Sequence, residues 1–510
     1  MSFSVLDIIT FIGFLAIVIG VSLWASRGKK DSPEGYFLAG RGLSWWLIGF
    51  SLIASNISSE HFIGMSGQGF GLGLAIASFE WMSALTLIII AFVFLPRFLS
   101  LGIYTMPEYL EHRYDGTARL VMAIFMVFFY VFVSLSVVLY SGALALRSIF
   151  GLNLVTGIWL IGIIAGAYTV YGGLKAVVWS DLIQGAGLLF GGILVTVLCF
   201  IEIGGVGRFV ELSGDKLHTV LPWNHPDMPW VAVFIGGLWV PHIFYWGLNQ
   251  FITQRTLAAK TLQEGQKGML FGASLKILIP FIVVFPGIIA YELYGDVITS
   301  QDEAYPYLIQ QILPAGLVGI MFAALFGAVM STLDSLLNSA ATILTIDIYK
   351  RHINKDSSTG RQVLIGRVVT IVLITLGCIW APIVDTFDKG LYMFLQQFWG
   401  FIQPGVVAAF LFGIVWKKVP SRAAVFGMLL NLPVYGLLLW KLPEVAFLHH
   451  MAITFIVISL FIVGYTLLYP LENPKPLPVL RKVESEVTPG MKLAIAGIII
   501  TVVSLYIIFF

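Results

Sequence analysis

The chain of 510 residues is 58% hydrophobic and 11% charged, and its mean hydropathy is +0.93. This composition excludes a soluble protein, and it leaves no segment for a soluble domain of useful size. The net charge of +2 gives no sign of a nucleic-acid partner. The two cysteines, Cys199 and Cys378, lie in apolar runs, so we expect neither a disulfide framework nor a thiolate metal site.

Apolar stretches long enough to cross a bilayer follow one another along the whole chain. They predict about fourteen transmembrane helices of about twenty residues each. Their positions are near 4–26, 43–70, 73–96, 119–149, 152–171, 176–203, 229–252, 268–294, 315–349, 363–384, 388–416, 421–440, 449–469 and 490–510. We therefore expect an all-α membrane protein with one transmembrane domain, 1–510. It would consist of an extra N-terminal helix (4–26), a core (43–416) and three C-terminal helices (421–510).

The distribution of Lys and Arg supports this count. With the N-terminus outside, the loops on the inner side hold 23 of the 29 Lys and Arg residues, and the loops on the outer side hold five. The remaining one, Lys276, lies inside a span. Because basic residues collect in cytoplasmic loops, we expect both termini outside and a location in the plasma or inner membrane.

Two segments on the predicted outer side, 204–228 and 295–314, are long and contain Gly, Pro and acidic residues. We interpret them as solvated loops. The alternative is that they cover an outer vestibule.

The second span is interrupted by a polar stretch, Ser55-Asn56-Ile57-Ser58-Ser59. Ser and Asn side chains compete for nearby backbone groups and disfavour a continuous helix. In lipid a helix breaks only where the freed carbonyls line a cavity or bind a ligand, and broken helices near the midplane hold the cation and the solute in secondary transporters. The alternative is an intact helix whose hydroxyls bond to its own carbonyls.

A second interruption is expected five spans later, in the helix 229–252. Pro241 follows an apolar stretch there, and His242-Ile-Phe-Tyr245-Trp246-Gly247 comes directly after it. Interrupted helices at matching places in two sets of five indicate an inverted repeat with the binding site at its interface. The core would then be built as five plus five helices, like the LeuT fold.

Six ionisable residues stand out inside predicted spans, on different helices. They are His61, Glu80, Asp181, His242, Lys276 and Asp334. Each costs about 2.5–3.5 kcal/mol to place in a membrane, so each is a candidate functional residue. A buried structural charge is the alternative for any one of them, but it is a poor explanation for all six.

Helical spacing places further polar and aromatic groups beside these residues. Ser83 shares a face with Glu80, Tyr245 and Trp246 share one with His242, and Tyr392 shares one with Gln396. Carboxylate, ammonium and amide groups form hydrogen bonds with hydroxyls, and an aromatic ring covers the apolar face of a sugar. The set predicts a site for a polyhydroxylated ligand, although packing or a membrane-interface position would also explain the two aromatic residues at 245 and 246.

A stripe of small and hydroxyl residues follows one face of the helix 315–349. Its members are Ala328, Ser331, Thr332, Ser335 and Ser339, which lie within an arc of about 100°. Such a stripe also allows close helix packing. If it faces the broken stretch, the hydroxyls of Ser331 and Thr332 and the carbonyls of Ala54, Ile57 and Ala328 form an all-oxygen site for a monovalent hard cation. Asp181 and Asp334 could form a second cation site, relay protons or pair with structural groups.

Long motifs in this sequence resemble the sodium/solute symporter family, and most closely its sodium–sugar cotransporter branch. They are NISSEHFIGM (56–65), LAIASFEWMSA (74–84), YGGLKAVVWSDLIQ (171–184), the run from GGLWV to TLAAK (236–260), the helix of Lys276, the run from FAALFGAVMSTLDS to DIY (322–349), and the stretch from Pro404-Gly405 to Trp416-Lys417-Lys418. The resemblance runs almost from end to end. It implies a fourteen-helix fold with a five-plus-five inverted repeat.

The resemblance also implies roles for individual residues. Sodium would be bound by Ala54, Ile57, Ala328, Ser331 and Thr332, with Asp181 involved in sodium handling. Sugar would contact His61, Glu80, Ser83, His242, Lys276 and Gln396; Tyr245 would stack on it as an inner gate near Asn56, and Met65, Tyr130 and Tyr392 would form an outer gate. Position 61 is Gln in the bacterial galactose pattern and His in the mammalian glucose type, position 242 is Asn in the former, and the context of Asp334 resembles inositol-transporting relatives. These departures leave the sugar open.

We therefore expect a sodium-coupled symporter, functional as a monomer, that imports a neutral monosaccharide or cyclitol by alternating access. The alternatives are a sodium symporter for an organic acid or amino acid, and an uncoupled sugar sensor or channel. Glu80 argues against an anionic solute, because it would repel a carboxylate in a dry site. A membrane enzyme is a weaker alternative, since no nucleophile–base pair or metal motif stands out.

Overall fold

We describe the fold from a computed structural model, which describes residues 4–25, 38–386, 390–474, 477–481, 483 and 486–510. Residue 26, the last of the predicted first span, and most of the basic loop that follows it lie outside these residues. The words inner and outer below follow the predicted orientation.

In the described residues of the first half of the chain we number ten helices. They are α1 (Val5–Ala25), α2 (Trp45–Asn56), α3 (60–71), α4 (Leu74–Leu101), α5 (Met106–Arg113), α6 (116–150), α7 (Leu154–Glu202), α8 (Val206–Leu212), α9 (Trp230–Leu248) and α10 (Gln250–Leu257). The helical assignment of α7 runs for 49 residues without a break. At 1.5 Å per residue it would be roughly 74 Å long if straight, more than twice the hydrocarbon core, so it accounts for the two predicted spans 152–171 and 176–203.

In the described residues of the second half we number nine more helices. They are α11 (Leu262–Tyr294), α12 (Ala304–Ile312), α13 (Leu317–Ile353), α14 (Thr359–Trp380), α15 (Leu391–Trp399), α16 (Gln403–Val415), α17 (Ser421–Lys441), α18 (Phe447–Leu468) and α19 (Pro489–Ile508). Among the described residues, ten single helices are long and apolar enough to cross a membrane, or eleven with the bent pair α15 and α16. Every predicted span overlaps a helix, while the number of fourteen crossings stays a prediction.

The second span is broken where its Ser-rich stretch predicts. The last backbone bond of α2 runs from the Ile57 N–H to the Ile53 carbonyl, and the ladder resumes when the Ser58 carbonyl accepts from His61 and Phe62. The first turns of α3 are π-helical. Because the last four carbonyls of a helix lack an intrahelical partner, those of residues 54–57 face the break.

The other broken helix is interrupted at two places. A turn at 235–238, just before Pro241, separates Trp230–Phe234 from the helical segment that begins at Trp239, and a second break lies eight residues after Pro241. That break falls at Asn249, whose extended backbone (ψ 117°) separates the π-helical end of α9 from α10. The Asn249 side chain accepts from the Phe251 N–H and so caps α10. The second break matters because it makes α10 a buried helix rather than the start of a cytoplasmic loop.

Glycines allow the core helices to approach closely. A Cβ on Gly49 of α2 would lie 2.9 Å from the Gly268 carbonyl oxygen of α11, and a Cβ on Gly287 of α11 would lie 2.0 Å from the Ser66 carbonyl oxygen of α3. The halves of the broken span therefore pack along one helix, α11, in the way small residues permit in membranes.

The two outer segments are not simply solvated loops, which corrects our interpretation. Lys216, in the first segment, donates to the Phe70 and Gly71 carbonyls at 2.9 and 3.0 Å and so caps the outer end of α3. Asp302, in the second segment, accepts from the Leu391 N–H at 3.1 Å, at the start of α15. Both segments are anchored to helices that carry predicted site residues.

Asp302 gives the outer contact a predicted pH dependence. Burial raises the pKa of its carboxyl to about 6, and the bond from the Leu391 N–H only partly offsets that effect. A folded-state pKa above the ordinary value means that the folded protein binds the proton more tightly, so this contribution to stability is present at low pH and is lost as the pH rises through about 6. We expect Asp302→Asn to reduce the difference in unfolding temperature between pH 5 and pH 7.5.

The control is Asp296→Asn, which alters an exposed carboxylate of the same segment and should keep the pH profile of the parent. Equal pH profiles for the parent and Asp302→Asn would show that Asp302 is not the titrating group.

An ion-pair network joins helices at the inner side. The Arg119 guanidinium lies 2.6 Å from an Asp347 carboxylate oxygen and 2.5 Å from a Glu111 oxygen, and Arg351 also pairs with Glu111. Burial favours the neutral form of Glu111, but the hydrogen bonds and charges of Arg119 and Arg351 outweigh it and hold the Glu111 pKa below its usual value. The network ties α5 and α6 to the inner end of α13.

Candidate functional site

A small cavity lies between the two broken helices. Its volume is about 60 Å³, enough for roughly four water molecules. Of the residues predicted to bind solute or form gates, those that line it are Asn56, His61, Glu80, Ser83, His242, Tyr245, Trp246, Lys276, Tyr392 and Gln396. Chain segments that are more than 300 residues apart in sequence thus meet around one space.

A chain of polar contacts runs along one side of the cavity. Lys276 donates to a Glu80 carboxylate oxygen and to the Asn56 amide oxygen. The other Glu80 oxygen lies 3.4 Å from Nε2 of His61, and the Asn56 amide group donates to the Tyr245 hydroxyl at 3.0 Å. Lys276 and Glu80 are almost fully buried, with side chains 1% and 3% exposed, so their charges neutralise each other in the absence of water.

Two histidines of the cavity offer free hydrogen-bonding positions. Neither ring nitrogen of His242 has a partner among the described residues, and the same is true of Nδ1 of His61. Gln396 projects from α15 into the cavity, while the Ser83 hydroxyl donates to the Phe79 carbonyl of its own helix at 2.6 Å. Trp246 places its ring 5.1 Å from the Lys276 ammonium. The cavity therefore presents unpaired donors and acceptors beside an internally neutralised ion pair.

Aromatic rings close the cavity on both sides. On the outer side the Tyr392 ring makes edge contacts with His61 and Phe79, at centroid distances of 6.2 and 5.5 Å. On the inner side Tyr245 contacts Phe251 at 5.6 Å.

The structure separates the residues predicted for the outer gate. Tyr130 donates to Asn249 at the break and accepts from the Phe251 N–H at 3.1 Å, so it lies with the group around Tyr245. Met65 is fully buried in α3, and it does not line the cavity. Of the three predicted outer-gate residues, only Tyr392 reaches the space.

The predicted sodium ligands come from α2 and α13, which are joined by one carboxylate. Asp181 accepts from Ser51 and Ser55 of α2, at 2.6 and 3.0 Å, and from Ser331 of α13. The Thr332 hydroxyl lines the cavity and has no partner among the described residues. With the carbonyls of Ala54 and Ile57 freed at the break and Ala328 one turn before Thr332, the donor set is all oxygen. Such a donor set suits a monovalent hard cation, and the binding of sodium by these five groups stays a prediction.

Arg255 is a functional candidate that the sequence analysis missed. We counted it among the cytoplasmic loop residues, but the structure buries it completely in α10. Its guanidinium lies 3.2 Å from the Asp181 carboxylate and donates to Ser51 and Ser335, at 2.7 and 2.6 Å. Arg255 therefore balances the charge of Asp181 and links three helices around the predicted cation site.

Asp334 lies apart from that group. It accepts from the Thr169 hydroxyl of α7, and its second oxygen has no partner in the part of the chain that the structure describes. Among the described residues it has no cationic partner, so a buried carboxylate is left available to a cation or proton.

Several further residues line the cavity without having been predicted. They are Glu60, Phe79, Ser134, Pro241, Asn249, Phe251, Leu336, Leu395, Trp399 and Gln403. Glu60 precedes His61 in the quoted motif, so its position next to the break could have been noticed in the sequence. In the structure it is buried, with 8% of its surface exposed. The others follow only from the fold.

Comparisons with known proteins agree with this geometry. The sequence profile of the sodium:solute symporter family matches residues 36–431. The chain belongs to this family. It is 41% identical to the sodium/glucose cotransporter of Vibrio parahaemolyticus over 99% of this chain and 98% of that protein, and 34% identical to the mouse sodium/myo-inositol cotransporter 2 over 84% of this chain and 68% of that protein. This sodium:solute symporter is thus a multi-pass membrane protein coupled to sodium.

Solved structures show the same fold. An outward-open, substrate-bound Na+-coupled sialic acid symporter superimposes with a TM-score of 0.83 at 22% identity, covering 93% of this chain and all of that one. Mhp1, a transporter of the nucleobase-cation-symport-1 family, superimposes with a TM-score of 0.56 at 16% identity, covering 88% and 97%. The predicted all-α, LeuT-like fold is confirmed.

Proposed function

We propose that this symporter imports a neutral sugar or cyclitol together with sodium, that it works as a monomer in the plasma or inner membrane, and that both of its termini lie outside. The observation that carries the proposal is the network of Lys276, Glu80, His61 and Asn56 beside the unpaired nitrogens of His242. The ion pair is neutral as a whole, so it offers hydrogen bonds to hydroxyls without demanding a charged solute. The relatives named sodium/glucose and sodium/myo-inositol cotransporters support the same solute class.

Coupling follows from where the two sites lie. Sodium bound by Ala54, Ile57, Ala328, Ser331 and Thr332 would bridge α2 and α13, and Asn56, next to the break, bonds both Lys276 and Tyr245. Ordering the end of α2 therefore orders the solute site. By reciprocity, sodium and solute raise each other's affinity by the same factor. Each sodium ion adds about 2.3 kcal/mol of driving force per 100 mV of membrane potential.

The roles of the two acidic residues differ in this proposal. Asp181 contacts Ser51, Ser55, Ser331 and Arg255, so it holds α2, α10 and α13 together and acts in coupling. Asp334, with its unpaired oxygen, is the group that can serve a second cation.

The test is uptake into proteoliposomes from a panel of radiolabelled glucose, galactose, myo-inositol, sialic acid and proline. We expect one neutral sugar or cyclitol to accumulate only with an inward sodium gradient, and a potassium gradient of the same size serves as the control. Accumulation of only the acid or the amino acid would refute the solute assignment. Sodium-evoked current without accumulation would support the sensor or channel alternative instead.

A further inference from the structure

The bend between α15 and α16 bears directly on the solute site. α15 carries Tyr392, which closes the outer side of the cavity, and Gln396, which points into it. The axes of α15 and α16 differ by 45° across the break at residues 400–402. The orientation of α15, and with it the outer closure, depends on what holds this bend.

One side chain of α17 satisfies three backbone groups at the bend. The Asn431 amide oxygen accepts from the Gly405 N–H at 2.7 Å, in the first turn of α16. Its amide group donates to the Gly400 carbonyl at 3.0 Å and to the Phe401 carbonyl. Helix ends leave such groups without partners, and at this depth unpaired groups cost several kcal/mol each.

Tyr435 reinforces the contact one turn further along α17. Its hydroxyl donates to the Gln397 carbonyl at 3.0 Å, in the last turn of α15. Gly400 lies directly against its ring: a Cβ there would be 2.3 Å from the ring carbon that bears the hydroxyl. Both Asn431 and Tyr435 are fully buried. The approach of α17 to the bend is therefore built into the sequence of both segments.

There is space behind α15 for it to move. A cleft of about 430 Å³ lies between α15 and the outer ends of α17 and α18, lined on the α15 side by Met393, Phe394 and Gln397. Tyr392 and Gln396 point to the cavity instead. If the contacts to α17 weaken, α15 can tilt toward this cleft and withdraw Tyr392 from the cavity.

We propose that Asn431 and Tyr435 are positioning residues that hold α15 bent over the cavity and so set the balance between its closed and outward-open forms. The proposal rests on the proposed function of this cavity as the solute site. It gives α17, one of the three C-terminal helices beyond the predicted core, a part in gating. Removing the contacts should favour the outward-open form, raise the KM for solute and lower kcat.

The test measures opening directly and needs no solute. Cys199 and Cys378 are replaced by Ala, Ser83→Cys is introduced as a probe in the cavity, and its labelling by a membrane-impermeant thiol reagent is followed from outside. Because each lost hydrogen bond is worth about 1 kcal/mol, we expect Asn431→Ala to speed labelling about fivefold or more. Asn431→Asp should do at least as much, since it places a carboxylate against two carbonyls.

Two further variants keep the test decisive. Tyr435→Phe loses only one hydrogen bond and retains the packing, so it should fold even if changes at Asn431 prove too damaging, and it should raise labelling by a smaller factor. Leu432→Ala, on the lipid-facing side of the same helix, should leave labelling unchanged. Unchanged labelling in Asn431→Asp and Tyr435→Phe, with folded protein, would overturn the proposal.

The outcome is separable from that of the solute panel. If no neutral solute accumulates but the Asn431 variants speed labelling, the positioning role of Asn431 and Tyr435 is supported and the proposed function is refuted. If a sugar accumulates but labelling is unchanged in these variants, the positioning role is refuted and the proposed function is supported.

Discussion

A Thr332→Val variant will need about tenfold more sodium than the parent for half-maximal uptake, a loss of ~1.4 kcal/mol in sodium binding. Valine has the shape of threonine without the hydroxyl. That hydroxyl has no partner among the described residues, so removing it breaks no hydrogen bond that the structure shows. The loss would therefore fall on the ion. The measurement is the initial rate of uptake against sodium concentration, or binding of radioactive sodium where the solute is not yet known.

The matched control is Thr370→Val. Thr370 is also a buried threonine in a transmembrane helix, but its hydroxyl donates at 2.9 Å to the Gly366 carbonyl of its own helix α14. We expect its sodium dependence to equal that of the parent. An unchanged sodium requirement in Thr332→Val would remove this residue from the cation site. A combined Ser331→Ala and Thr332→Val variant should be weaker still, because it also releases α13 from Asp181.

The candidate solute-binding group was predictable from sequence because charge inside an apolar span is conspicuous. Glu80 and Lys276 stand out on hydropathy alone, and the structure pairs them. Arg255 was missed for the opposite reason: it follows the apparent end of a span, where a basic residue looks like a cytoplasmic loop. Only the break at Asn249, which restarts the helix inside the protein, shows that it is buried.

The residues at the α15–α16 bend could not have been found from sequence. Asn431 lies in an ordinary apolar helix, and one buried amide gives no sign of which backbone groups it serves. Its role depends on the packing of α17 against a bend whose geometry comes from Pro404 and the glycines on either side of the break. Hydrogen bonds between a side chain and the backbone of a distant helix leave no periodicity in sequence.

The buried ion pair allows stability and binding to be separated. Lys276→Met leaves Glu80 charged and without its cation, so we expect the free energy of unfolding to fall by about 3–5 kcal/mol. Adding Glu80→Gln removes the isolated charge and should recover most of that loss. Solute binding should stay roughly 100-fold weaker in the double variant, because two good hydrogen bonds to a buried ligand together contribute about 3 kcal/mol. The measurements are denaturant unfolding in micelles and solute binding on the same preparations.

Arg208→Met supplies the comparison. Arg208 pairs with Glu211 at 2.9 Å on the surface, where the two side chains are 50% and 68% exposed, and such a pair contributes less than about 1 kcal/mol. Its loss should change neither stability nor binding appreciably. Parental solute affinity in Lys276→Met would show that the cavity does not use this ammonium group. The contacts of Lys276 with Asn56 and Trp246 are lost in both the single and the double variant. Failure of the double variant to regain stability would therefore show that Lys276 stabilises the fold through these contacts and not by neutralising Glu80.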